Sequence, residues 1–471
     1  MTPAGGGTRP LPRAAYERWM DALTRAGWSL RPAGGGAPRA PAGDTEQVAV
    51  DEALDRITAG PVTARWPSPR AACAAMDGIA VLAADLGCAP AVSLTTAAGG
   101  QDGAGAGEAA VRLPAGRFQW IDTGDPMPDG ADTVVIRERL LPQADGSVLV
   151  APARRAGGRV ADGRAGGGVA DGRAGGGVAD GGAGGRAAGR NVRAAGEDFQ
   201  AGEVLVAGGR RLRPGDLAAA AAGGHVTVTV TRRPAVAIIP TGDEIRPVGA
   251  VLHRGDIMDT NSLMLAARCR QLGAAPLVSD VMPDDPDALL AEVRRAATRA
   301  DLVLVIAGSS HGRGDHTAAV LAQAGEATVA GVAVRPGHPA LLGLAKRPAG
   351  GGGPAAAAVI GVPGYPLAAA VVFELFAAPV LAALSGSRPA AAQRVAARLD
   401  QDWDSPADVD EWVLVTLRAG DNGLLVATPG RRGAGSVSQL ARADAWWPVP
   451  AGPGGHARGT EISVIPIGGA W

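Results

Sequence analysis

AVAIIPTGDE at residues 235–244, LVLVIAGSSHGRGD at 302–315 and AVIGVPGYP at 358–366 decide the fold. Each is an apolar, β-branched run that stops abruptly at a short loop of glycines, hydroxyls and carboxylates. Runs without polar alternation suit strands covered on both faces, as in a parallel sheet with helices on either side. Loops leaving the carboxyl ends of such strands share one crevice, so the three motifs predict a single site for a ligand carrying phosphates.

Composition narrows the function classes. A chain of 471 residues, 46% apolar, can bury a large core and is expected to divide into three or four domains. The net charge of -1 argues against a nucleic-acid or anionic-membrane partner and leaves a small molecule as the default. Cys73, Cys88 and Cys269 form no CxxC pair, which suits a reducing cytoplasm and gives no cysteine metal site. Arginine replaces lysine almost everywhere, Lys346 being the only lysine, and this reads as genomic bias. The apolar stretch at 367–384 contains Glu374 and Pro379 and is expected to be a buried helix rather than a membrane span.

The expected fold class is α/β plus β, in four parts. An elongated N-terminal helical and linker domain takes residues 11–62 and 201–225, with amphipathic helices at 14–27 and from Thr45 (TEQVAVDEALDRI) and a Pro/Gly-rich linker at 31–43. A β-rich domain is inserted at 63–200, where short alternating runs are broken by Gly and Pro. Within it a VADGRAGGG repeat, at 156–189 with its flanks, is expected to be a disordered insertion. A doubly wound α/β domain follows at 226–385, and a small β domain closes the chain at 386–471.

Four constellations carry chemistry. In TGDE, Thr241 and Gly242 offer a hydroxyl and open amides to an anion, while Asp243 and Glu244 are hard oxygen ligands for a divalent cation. GDIMDTNS places Asp259, Asn261 and Ser262 before an apolar helix; one is the N-cap, and Asp259 is expected to serve a ligand. AGSSHGRGDHT resembles a phosphate cradle through Ser309, Ser310 and Gly312, with Asp315 facing the anion through Mg2+. His311, Asp315, His316 and His338 have some metal-ligand spacing, but it lies in a Gly-rich loop with no regular helix to fix it, so they are read as loop histidines or phosphate contacts rather than a transition-metal site. GVPGYP brings Pro363 and Gly364 to a further helix start, with Pro366 near its first turn.

Taken in order with AAMDGIAV (74–81), TGDPMPDGADTVV (123–135), RNVRAAGEDFQAG (190–202) and GRRGAGSVSQLARAD (430–444), these motifs resemble the molybdopterin molybdenumtransferase family, which includes the E domain of gephyrin. The resemblance spans residues 11–469. It implies a homodimer, a site drawing on the β-rich domain of one subunit and the α/β domain of the other, and a reaction in which adenylylated molybdopterin and molybdate give molybdenum cofactor and AMP with Mg2+. It also implies catalytic roles for Asp77, Glu244, Asp259 and Asp315, with Asp243, Glu244, Asp259 and Asp315 around the metal. Thr123, Arg193, Asp198, Arg335, His338 and Ser436 join the strand-end residues as substrate-binding groups.

Two departures stand out. The family's SAMDGYA is AAMDGIA, which loses a hydroxyl at Ala74 and a ring at Ile79, and its RPGKP is RPGHP. His338 thus stands where a permanent cation is expected, and an unperturbed imidazole is mostly neutral at pH 7. A catalytically weakened molybdopterin carrier and a molybdopterin adenylyltransferase are the alternative functions.

Overall fold

The structure is a computed structural model describing residues 9–28, 45–86, 92–96, 112–150, 188–307, 316–349, 354–386, 394–420, 423–452 and 454–467. The residue 160–185 repeat, the 31–43 linker, Cys88, and the loop with Ser309, Ser310, His311, Gly312 and Asp315 lie outside the described residues. Two compact units are present, one of residues 1–62, 206–217 and 227–471, the other of 63–205 and 218–226.

The first unit is organised by a six-stranded sheet. Its spatial order is Ala275–Val278, Ala235–Pro240, Leu302–Ala307, Ala356–Pro363, Leu341–Lys346, Gly325–Ala330. The first four strands run parallel, and Leu341–Lys346 is antiparallel to both neighbours. All of Leu302–Ala307 and Ala356–Pro363 is buried. Alternate residues feed two cores: Val236, Ile238, Leu304 and Ile360 pack with Leu265, Val371 and Phe373, while Ile239, Val303, Val305 and Val359 pack with Leu289, Val293 and Val320. Each fully buried aliphatic side chain contributes about 1.5–3 kcal/mol, so continuous β-branched runs stabilise this two-sided burial.

Strand order reverses beside Ala235–Pro240, from which the chain goes first to one side and then to the other. The carboxyl ends meet there, with Pro240 opposite Ile306 and Ala307 opposite Pro363. Helix Thr260–Gln271 and the helical run Pro366–Ser385 cover one face. The latter is long and apolar enough to cross a membrane, yet its Phe373, Phe376, Val380 and Leu381 lie in the core. Its π-turn, Phe373–Ala377, holds Glu374 in a bidentate ion pair with Arg268, at 2.6 and 3.1 Å.

Helix Pro12–Arg25 lays Ala15, Trp19, Ala22 and Leu23 on the same core. Trp19 Nε1 donates to the Gly343 carbonyl (2.9 Å), and Trp28 Nε1 donates to that of Ala356 (2.8 Å). The expected second helix is corrected. TEQVA is a strand, Thr45–Ala49, antiparallel to Thr227–Thr231, and only Val50–Glu52 makes a helical turn. The TVTVT partner offers an unpaired edge, and pairing with it outweighs a weak helical periodicity. Buried Arg56 secures the join, donating to the Thr231 carbonyl (3.0 Å) and pairing with Glu46.

The C-terminal strands run Val334–Arg335, Asp410–Ala419, Leu425–Pro429, Val395–Leu399, Glu461–Pro466, Ala445–Val449. Ala445–Val449 pairs back onto Asp410–Ala419, closing a barrel around Trp403, Val413, Val415 and Trp447. Its added strand, Val334–Arg335, belongs to the RPGHP segment and sets Arg335 in register with Glu411.

The second unit carries another six-stranded sheet, with a core of Ile79, Val81, Leu94, Phe118 and Val135. Gly78 is required there, because a Cβ would sit 2.0 Å from the Val135 carbonyl oxygen of the neighbouring strand.

Candidate functional site

Three strand-end segments of the first unit are tied together by hydrogen bonds. Both the amide and the hydroxyl of Thr241 donate to the Ile306 carbonyl, at 2.9 and 3.0 Å, so the PTGDE loop starts fixed to the central strand. Gly242 has φ +132, and a Cβ there would lie 2.9 Å from Glu244 Oε2; the tight turn closes through the Ile245 amide on its carbonyl, at 3.1 Å. This turn presents Asp243 and Glu244 to solvent.

Ile245–Arg246 pairs in parallel with Ile257–Met258, which ties PTGDE to GDIMDTNS. The Ile257 amide donates to the Glu244 carbonyl and the Asp259 amide to that of Arg246, both at 2.8 Å. Arg246 also pairs with Asp256 at 2.8 Å. Asp259 is itself the N-cap of helix Thr260–Gln271, its carboxylate accepting from the Ser262 amide at 2.9 Å. Capping therefore falls to the very residue expected to serve a ligand. Asn261 Nδ2 reaches the third loop, donating to the Gly364 carbonyl at 2.7 Å.

A small pocket opens between Thr241, Ala307, Asp284, His316 and Thr317. The Asp284 amide donates to Asp243 Oδ1 at 3.3 Å. Burial pushes the Asp284 carboxyl above its ordinary value; a hydrogen bond that the carboxyl receives from the Asp243 backbone opposes this, the charges of Asp243 and Glu244 add to it, and that of His316 opposes it. Among the described residues no three His, Cys, Asp or Glu side chains come together as a metal-ligand group.

Arg335 lines a cavity of about 190 Å3 with Trp403, Glu411, Trp412, Arg431 and Arg432. Leu367, just after the GVPGYP loop, lines it too, and its amide donates to the Ala434 carbonyl at 2.9 Å. Buried Glu411 accepts from Trp403 Nε1 (3.0 Å), Ser405 Oγ (2.8 Å) and Arg432 Nε (2.9 Å). Burial works to raise its carboxyl, but bonds from Arg432, Ser405 and Trp403 outweigh burial and hold it below the ordinary value. Arg432 stacks on Trp403 with its Cζ 4.3 Å from the ring centroid. Glu411 thus neutralises Arg432, while Arg335 and Arg431 have no carboxylate partner among the described residues. Exposed His338 and half-buried Ser436 are outside the cavity lining; Ser436 Oγ lies 3.2 Å from Ser438 Oγ.

In the second unit Asp77 Oδ1 accepts from both the amide (2.7 Å) and the hydroxyl (2.6 Å) of Thr123. The hydroxyl bond and then the amide bond hold this exposed carboxyl below its ordinary value, with a smaller pull from Arg137. Arg137 donates its amide to the Asp77 carbonyl (3.1 Å), reaches Asp122 at 3.9 Å and lies over Trp120, 5.9 Å from the ring centroid. Arg193 pairs with Glu197 at 3.3 Å on an exposed turn that also carries Asp198. No spacing in the sequence links Asp284, Arg137 or Arg431 to their partners, and Asn261 and His316 show their contacts to Gly364 and to the Asp284 pocket only in the fold.

Three tied strand ends at a strand-order reversal, with a guanidinium-lined cavity reached through the helix of the third, define a multidomain α/β protein with its strand-end loops and cationic side chains gathered at the carboxyl ends of its parallel strands. Residues 20–224 match the family model for the MoeA N-terminal region (domain I and II), 237–383 the probable molybdopterin binding domain, and 396–467 the MoeA C-terminal region (domain IV). A molybdopterin molybdenumtransferase of Nostoc sp. is 32% identical over 73% of this chain and 70% of its own length. That of Bacillus subtilis is 29% identical over 90% of each. The crystal structure of a molybdopterin biosynthesis moea protein from Pyrococcus horikosii superposes with a TM-score of 0.72 at 26% identity, covering 98% of this chain and 99% of that one. The chain belongs to the molybdopterin molybdenumtransferase family.

Proposed function

We propose that this chain inserts molybdenum into molybdopterin as a step of molybdenum cofactor biosynthesis, with adenylylated molybdopterin and molybdate as substrates and molybdenum cofactor and AMP as products. One observation carries the reading in a chain of this family: Thr241 on Ile306, Ile257 on Glu244 and Asn261 on Gly364 tie the described strand ends and the GDIMDTNS segment to one another. Thr241, Gly242, Pro363 and Gly364, with Ser309, Ser310 and Gly312, supply amides and hydroxyls to the phosphates. Arg335 offers an unneutralised cation to phosphate or molybdate, in a cavity shared with Arg431, and His338 and Ser436 add to the binding of anions. Asp77, Glu244, Asp259 and Asp315 are the acids of the reaction. Arg193 and Asp198 bind substrate from the β-rich domain.

Among the described residues Asp243, Glu244 and Asp259 do not assemble into a magnesium ligand set, so no step is assigned to that ion. A homodimer is supported by an exposed apolar stretch at Val248, Val251, Leu252, Ile257 and Leu263.

Incubation of the purified protein with adenylylated molybdopterin, Mg2+ and molybdate tests the reading through AMP release. Binding without AMP release identifies a carrier, and formation of adenylylated molybdopterin from molybdopterin and ATP identifies an adenylyltransferase; either outcome overturns insertion.

A further inference from the structure

Asn261 spends its amide in an unusual way. The side chain is 7% exposed, Nδ2 donates to the Gly364 carbonyl across 103 residues of sequence, and Oδ1 is buried with no partner among the described residues. A buried amide with half its capacity unused costs free energy that an aliphatic residue of similar volume would avoid. Nor is Asn261 needed to start its helix, because Asp259 already caps the first turn. Farther along the same helix, the Arg268–Glu374 pair fixes it to the helical run that follows Gly364. The two elements are thus braced at two points, and only the Asn261 bond acts on the loop.

From this geometry we infer that Asn261 is a positioning residue: its Nδ2 clamps the Gly364 carbonyl and holds the GVPGYP loop in the conformation that receives substrate. The inference rests on the proposed function for the identity of that substrate. Without the clamp the loop samples other conformations, and apparent affinity falls with the fraction that stays competent. The chemical step, carried by side chains elsewhere, keeps its rate once substrate is bound.

Asn261→Asp, which keeps the shape but loses the donor, and Asn261→Leu, which loses the amide altogether, test the clamp in the full-length chain. Ser262→Ala is the control, since the Ser262 hydroxyl is equally buried and has no partner among the described residues. The expected result is a KM for adenylylated molybdopterin raised about tenfold, with kcat changed less than about threefold, in both Asn261 variants and not in Ser262→Ala. Amide hydrogen exchange of the ligand-free protein should accelerate at residues 364–368 in whichever Asn261 variant folds. Unchanged exchange there, an unchanged KM, or a loss confined to kcat overturns the clamp. Faster exchange in a protein whose parent releases no AMP overturns the proposed reaction instead and leaves the clamp standing.

Discussion

Replacing Glu411 by Ala removes the acceptor at the centre of the cavity wall. Trp403 Nε1 and Ser405 Oγ, on residues 8% and 7% exposed, lose their only acceptor among the described residues, while Arg432, more than half exposed, turns to water. Two orphaned buried donors at about 1–3 kcal/mol each, partly relieved by water entering the space left behind, give a loss of about 2–4 kcal/mol. Glu411→Gln keeps a carbonyl for Trp403 and Ser405 and loses mainly the charge facing Arg432, so it should cost about 1 kcal/mol. The sign with pH follows from the carboxyl being held below its ordinary value. Its charge contribution is complete above the unfolded pKa and is lost as pH falls through the folded one, so Glu411→Gln and parent converge in acid, while Glu411→Ala keeps the loss from the two orphaned donors, which a protonated carboxyl still serves. Urea unfolding of the two variants, followed by near-ultraviolet circular dichroism of the tryptophans at neutral and acid pH, measures all three quantities. Equal losses for Glu411→Ala and Glu411→Gln, or a difference between Glu411→Gln and the parent that survives acidification, would refute this account.

Removing the Thr123 hydroxyl as Thr123→Val leaves Asp77 with the amide bond alone, so the carboxyl should titrate at higher pH than in the parent, as read by NMR; an unmoved titration refutes the hydrogen-bond cause. Gly78→Ala should destabilise the β-rich unit by at least about 2 kcal/mol, because its Cβ meets a neighbouring backbone carbonyl, and limited proteolysis within residues 63–205 reports it. His338→Lys, which restores a permanent cation, should raise turnover or lower the molybdate concentration required, and no change in either shows that this side chain binds no anion.

Much of the α/β domain is legible in the chain because strands buried on both faces must be written as unbroken apolar runs, and their ends as Gly and hydroxyl loops. The residue 45–57 segment misleads for the opposite reason. Its pattern is weak, and its conformation is decided by Thr227–Thr231, almost two hundred residues away. The site divides the same way. PTGDE and GVPGYP are local signatures, whereas Asp284 stands in a DDPD run that reads as solvated helix-capping acids. Asp285 does take the cap, accepting from the Asp287 and Ala288 amides, while Asp284 faces Asp243. Glu411 and Arg432 are ordinary surface types in sequence, and only barrel closure submerges the acid and makes the pair a wall.

Because Val334 and Arg335 are covalently part of the α/β segment yet hydrogen-bond into the barrel alongside Asp410 and Glu411, the border between these bodies is a seam rather than a hinge. Any tilt of the terminal barrel would drag Arg335 along with it, so the guanidinium travels with the barrel and not with the crevice floor. Cutting the gene after residue 385 would strip that seam bare, and a faithful excision of the barrel must take the RPGHP segment as well.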